Sequence, residues 1–130
     1  MSGAPGFSVV IPAYNYAHVI ERALASAVAQ EYAPFEVIVI NDGSTDDTDR
    51  VLAELAGRLP GPFRVIDQAN AGLAAVRNRG LKEARHDWLL FLDADDELCP
   101  GALARLAGTI AAAPAARLII GGHLADELLE

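Results

Sequence analysis

Two aspartates separated by one residue, Asp93 and Asp95, directly follow the apolar run Trp88-Leu-Leu-Phe-Leu92. In extended backbone, residues two apart point to the same side, so both carboxylates address one point. With no histidine or cysteine within the Asp93-Ala-Asp-Asp-Glu97 run, such a pair suits a hard cation, Mg2+ or Mn2+. Ions of this kind keep several waters and take further ligands from phosphates. The competing view is a solvated acidic turn ahead of the helix that begins at Pro100. The position of the pair, past an apolar strand and facing two other polar strand ends, favours a ligand.

Asp42 lies in Asn41-Asp-Gly-Ser-Thr-Asp-Asp-Thr48, ahead of Gly43, Ser44 and Thr45, which read as turn and cap. It is therefore expected to be free to accept a hydrogen bond from a ligand. A carboxylate that accepts the imide N–H of uracil discriminates bases, because cytosine presents no donor there. Tyr14 and Asn15 follow Pro12. A tyrosine in such a loop can stack on a base, a contact worth about 1–3 kcal/mol in other base-stacking sites. Tyr16 reads as a packing residue. Arg77 and Arg79 follow Asn70-Ala-Gly-Leu73. A helical Arg is usually a solvated group, but Arg77 near its helix start is placed to reach a diphosphate or a base. His18, His86 and His123 lack metal-ligand spacing, Cys99 has no partner base, and Ser44 is not in a nucleophile elbow.

Alternating elements must position these residues. Phe7–Ile11, Glu36–Ile40, Phe63–Ile66 and Trp88–Leu92 read as strands, with Arg117–Ile120 as a weaker fifth. Continuous apolar character in the second and fourth indicates burial on both faces, as in a parallel sheet. Between them, Ala17–Gln30, Asp46–Ala56, Gly72–Ala84 and Gly101–Ala112 carry apolar residues at helical spacing. The second helix is expected to be capped by Ser44 with Asp47, and Gly57 to follow its end. The order predicts a doubly wound α/β sandwich with right-handed crossovers, and Pro60-Gly61-Pro62 is a turn within one domain. In a parallel sheet the strand C-terminal ends share one edge, so Pro12–Tyr16, Asn41–Asp46 and Asp93–Glu97 converge where α/β folds bind ligands.

A chain of 130 residues is the size of one domain, and its net charge of -8 leaves no basic stripe for nucleic acid. A lone Cys99 fits a reducing compartment, and Met1–Gly6 shows no secretory signal. The apolar runs are far shorter than the roughly 20 residues of a membrane helix. A soluble, cytoplasmic chain without a transmembrane segment is expected, with peripheral membrane docking left to regions outside this sequence.

Four stretches together resemble the family 2 glycosyltransferases of the GT-A fold: Val9–Asn15, Val37–Asp46, Asn70–Gly80 and Phe91–Asp96. They stand in the family's order and cover nearly the whole chain. The resemblance implies a three-layer, doubly wound, mostly parallel α/β sheet with a Rossmann-like nucleotide-binding part, spanning 1–130 as one domain. It implies a nucleotide-diphosphate sugar donor, a UDP-sugar, with Mn2+ or Mg2+. Pro12, Ala13, Tyr14 and Asn15 would hold the nucleoside, with Tyr14 against uracil. Asp42 would bind the base, Arg77 would contact the base or diphosphate, and Asp93 with Ala94 would lie by the ribose. Asp93 would also approach the metal, and Asp95 would be its principal ligand. The family inverts the anomeric centre by direct displacement, with a base that deprotonates the acceptor hydroxyl.

Two departures stand out. Val76 occupies a position where the family commonly has Ala. Family domains are also considerably longer, with the base and the acceptor-binding region after the position of Ile120. Asp126 and Glu127 read as a solvated tail. This chain alone is therefore expected to bind donor without transferring sugar to its unknown hydroxyl acceptor. A non-catalytic nucleotide-sugar-binding module or a truncated fragment is the alternative. A haloacid-dehalogenase-like phosphatase motif at Phe91–Asp95 is disfavoured by Glu97 and by its place late in the chain.

Overall fold

The computed structural model describes residues 4–112. Four strands and four helices alternate: β1 (Phe7–Ala13), α1 (Ile20–Val28), β2 (Phe35–Asp42), α2 (Thr48–Arg58), β3 (Arg64–Gln68), α3 (Leu73–Glu83), β4 (Trp88–Phe91) and α4 (Ala102–Ala112). The expected strand at Arg117–Ile120, together with His123, Asp126 and Glu127, lies outside the described residues. No helix among the described residues is long and apolar enough to cross a membrane.

The strands form one sheet in the order β3-β2-β1-β4, with every pairing parallel. Val9, Val10 and Ile11 of β1 and Ile38, Val39 and Ile40 of β2 are wholly inaccessible, because helices cover both faces. Successive side chains alternate between those faces. Val9, Ile11, Val37 and Val39 join a core with residues of α1, α2 and α4. Val10, Ile38 and Ile40 meet Val76 of α3 on the other side. The chain moves outward from β1 to β3 and then returns to lay β4 beside β1, so the strand order reverses between β1 and β4.

Expected and observed elements differ at their ends. β2 and β3 run two residues past their apolar stretches, to Asp42 and Gln68. Their polar ends stay in the ladder because Asn41 and Asp42 are buried with hydrogen-bond partners. Gly57 falls inside α2, which ends at Arg58 on an extended Leu59. Ser44 and Asp47 form no capping box; Asp46 Oδ1 instead accepts the Thr48 N–H at 2.9 Å. α1 begins three residues later than expected, because Val19 and Ile20 both donate to the Tyr16 carbonyl in a turn.

At the N-terminal edge of the sheet a polar network ties the ends down. Ser8 Oγ and the Arg85 N–H both donate to Glu36 Oε2 at 2.6 Å, and the Arg64 guanidinium lies 3.5 Å from Oε1. Burial pushes the Glu36 carboxyl up, but Ser8, Arg85 and Arg64 outweigh it and hold it below its ordinary value.

Two helical glycines have opposite surroundings. A Cβ on Gly57 would meet nothing within 4 Å, whereas one on Gly80 would lie 3.0 Å from Val10 Cγ1 and 3.5 Å from Phe91 Cε1. Gly57→Ala should therefore stabilise the chain by about 0.5–1 kcal/mol through reduced unfolded-state entropy. Gly80→Val should destabilise it by about 1–3 kcal/mol through overpacking. Urea unfolding of both variants checks this; a stabilised Gly80→Val would show that α3 is not seated closely on β1.

Candidate functional site

The β1–α1 and β2–α2 loops are clasped by one side chain. Asn15, two residues past the end of β1, takes the left-handed φ of +59°. Its Oδ1 accepts from Thr45 N at 2.7 Å and Asp46 N at 3.2 Å, while its own N–H donates to Ser44 Oγ at 3.1 Å. Asp46 Oδ2 returns the clasp by accepting the Ala17 N–H at 3.2 Å. The amide of Asn15, expected to face a nucleoside, is thus committed to the neighbouring loop. Tyr14 beside it is 45% exposed. It makes no hydrogen bond among the described residues, so its ring is available for stacking.

Pro12 sits in register with Ile40 of β2, while β4 ends at Phe91 opposite Val10. Backbone groups two residues apart face the same way, so Pro12 turns toward the β4 side where that strand has already ended. Its missing N–H removes no ladder bond there. The strand order reverses here, between β1 and β4, which is where open α/β sheets bind ligands. Ala13 is buried in the core on the α1 side of the sheet.

Asp42 departs from expectation. It is 4% exposed and both its oxygens are engaged. Oδ1 accepts from Gln68 Nε2 and the Ala71 N–H at 2.9 Å; Oδ2 accepts the Gly72 N–H at 3.1 Å, with Asn70 Nδ2 at 3.4 Å. The carboxylate therefore latches β2 to the loop before α3, and its charge lies at the start of that helix. Gly43 permits the approach: its φ is +69°, and a Cβ there would come within 2.6 Å of Asn70 N. Of the roughly four lone-pair positions of a carboxylate, one on Oδ2 has only the long Asn70 contact.

Past β4, the Asp96 N–H donates to Asp93 O at 3.0 Å and closes a turn. This turn brings carboxylate oxygens of Asp93, Asp95 and Asp96 within 4.8 Å of one another, all three exposed. An all-oxygen, open donor set fits a hard divalent cation that keeps waters and shares phosphate ligands. Ala94 between them is 1% exposed and packs into the core, which anchors the turn. Arg77, on the exposed side of α3, forms no ion pair or hydrogen bond among the described residues.

The sequence pattern assigned Asn15 to the nucleoside and did not show the loop-holding role of Asn15, Asp46, Gln68, Ser26 and Gln30. Asn15 had a signal, since Asn is among the side chains that tolerate positive φ. Gln68 and Gln30 had none, because a glutamine's partners are set by tertiary contacts.

Parallel strands between helices, with loops converging where strand order reverses, define a doubly wound α/β domain, and its structural neighbours are GT-A glycosyltransferases. The chain belongs to glycosyl transferase family 2, whose family model matches residues 8–123. The glycosyltransferase YibD of Escherichia coli is 38% identical over 100 residues, covering 77% of this chain and 29% of YibD. Chondroitin synthase of Pasteurella multocida is 39% identical over 99 residues, covering 76% of this chain and 10% of the synthase. Among solved structures, S. aureus TarS in complex with UDP-GlcNAc superposes with a TM-score of 0.73 at 33% identity, covering 82% of this chain and 31% of that one. The mannosyltransferase PcManGT of Pyrobaculum calidifontis, in complex with GDP-Man and Mn2+, gives 0.77 at 27% identity, covering 85% and 33%. The chain spans about three-tenths of the length of YibD and of TarS residues 1–349, and 19% of the longer TarS structure.

The latch has a pH signature. Burial pushes the Asp42 carboxyl up, but hydrogen bonds from Gln68, Ala71 and Gly72 outweigh it and hold it below its ordinary value. A group depressed on folding contributes stability above its unfolded value of about pH 4, and loses it as pH falls through the lower folded value. Asp42→Asn should destabilise the chain by about 1–3 kcal/mol at pH 7, since an amide cannot satisfy all these donors. It should also flatten the acid limb of the melting curve below about pH 4. Thermal melts from pH 7 to pH 3 decide it; identical acid limbs would remove the latch from the stability account.

Proposed function

We propose that this chain is the donor-binding part of an inverting glycosyltransferase that uses a nucleoside-diphosphate sugar, with UDP as the nucleotide. The observation that carries this is the convergence of Asp93, Asp95 and Asp96 at the edge where β1 and β4 part. A divalent cation bound there, Mn2+ or Mg2+, supplies positive charge to the leaving diphosphate. Asp95 is assigned as principal metal ligand, with Asp93 shared between metal and ribose and the Ala94 backbone beside the ribose.

Tyr14 stacks on the base, and the Pro12–Ala13 segment forms the floor beneath the nucleoside. Asp42 accepts the imide N–H of uracil at its less occupied Oδ2 position while keeping its latch to Gly72. Arg77 contacts the base or the diphosphate. Attack on the anomeric carbon needs a carboxylate base within hydrogen-bond reach of the acceptor hydroxyl. That base is assigned to a segment beyond the described residues. Support comes from family membership and from the nucleotide sugars bound by TarS and PcManGT.

Calorimetry with UDP, GDP and CDP, each in Mn2+ or EDTA, tests the proposal. UDP should bind at least about tenfold more tightly with Mn2+, a difference of about 1.4 kcal/mol. Asp95→Asn should abolish this enhancement with little change in melting temperature, because the exposed side chain packs against nothing. Equal UDP affinity with and without Mn2+ would sink the metal assignment. A UDP/CDP ratio unmoved by Asp42→Asn would leave Asp42 a latch only.

A further inference from the structure

The carboxylates of Asp93, Asp95 and Asp96 crowd together and repel, yet the segment that carries them is held from both sides. On the strand side, the Leu92 N–H donates to Val10 O at 2.9 Å, and Leu92 and Ala94 are buried. On the far side the hold comes from Ser26 of α1 and from Gln30, two residues past the end of that helix. Ser26 Oγ accepts the Leu98 N–H at 2.9 Å while donating to Ala23 O at 2.7 Å. Gln30, 7% exposed, donates from Nε2 to Cys99 O at 3.0 Å and accepts the Leu103 N–H at Oε1, 3.1 Å away. Leu103 lies in the first turn of α4, where an N–H has no partner within the helix. Gln30 thus bridges the loop's end and the next helix. Arg22 adds an exposed pair with Glu97 at 3.6 Å and a long, exposed hydrogen bond to the Asp95 carbonyl at 3.5 Å, both worth little.

We infer that Ser26 and Gln30 are positioning residues for metal binding, fixing the span from Leu92 to Leu98 so that its carboxylates stay converged before a cation arrives. The inference rests on the donor-site assignment above. Like charges this close spread apart if the backbone allows it. Anchors at Leu98, Cys99 and Leu103 remove that freedom, so less ordering remains to be done on binding. Outer groups that orient metal ligands typically change metal affinity 10–100-fold when removed.

The test compares the full 130-residue chain with Ser26→Ala, Ser26→Thr and Gln30→Leu. Mn2+ affinity is read at saturating UDP by electron paramagnetic resonance of free Mn2+, and UDP affinity in EDTA by calorimetry. Ser26→Ala and Gln30→Leu should each weaken Mn2+ about tenfold and leave UDP binding in EDTA unchanged. Ser26→Thr should keep Mn2+ affinity: the hydroxyl is retained, and the added methyl can enter the adjoining cavity of about 350 Å³. If Gln30→Leu fails to fold, the Ser26 pair decides. Unchanged Mn2+ affinity in Ser26→Ala, or a parallel loss of UDP affinity in EDTA, overturns the inference while the donor-site assignment stands. A wild-type chain that binds UDP equally with and without Mn2+ removes both together.

Discussion

Parallel pairing of β1 with both β2 and β4 is the constraint on which the rest depends. Parallel strands have no tight hairpins, so each connection must cross a face of the sheet and return. That forces helices onto both faces and buries the apolar runs Val9–Ile11 of β1 and Val37–Ile40 of β2. It also places every strand's C-terminal end at one edge, in register through Ala13 with Asn41 and Asp42 with Gln68. Loops leaving that edge are brought together whatever their sequence. Pro12 then marks where β1 continues without β4.

Proximity alone would leave the loops loose, and the sequence closes them with side chain to backbone hydrogen bonds. Asn15 and Asp46 join the first two loops, Asp42 joins the second to the start of α3, and Ser26 with Gln30 holds the fourth. Each bond satisfies a backbone N–H that neither sheet nor helix can use. Buried or half-buried polar groups of this kind are costly when unpaired and fix one geometry when paired. The opposite edge is closed differently, by the Ser8–Glu36–Arg64 network. One edge is thereby sealed and the other remains open to a ligand.

Strand and helix types were legible because the apolar runs and the 3.6-residue spacing survive local variation, and the converging polar ends followed from parallel topology alone. Boundaries were less legible. Asn41 and Asp42 look like a turn by residue type, yet burial with partners keeps them in β2. Gly57 looks like a helix stop, yet α2 passes through it. The acidic pair past β4 was visible as a cluster in the sequence, and Asp96 joins it through a turn that spacing did not show. Asp42 seemed unoccupied because its partners, Gln68 and the Ala71 and Gly72 amides, lie 26 to 30 residues away.

The double engagement of Asp42 limits how such a site can diverge. Under the proposed assignment one carboxylate both reads the nucleobase and fastens the helix that carries Arg77. A substitution that retunes base preference at this position also loosens α3, so the two properties cannot drift independently. Changes in donor choice would have to accumulate at neighbours with a single role, such as the exposed Tyr14, while Asp42 stays fixed. The position is locked by architecture before selection on substrate acts.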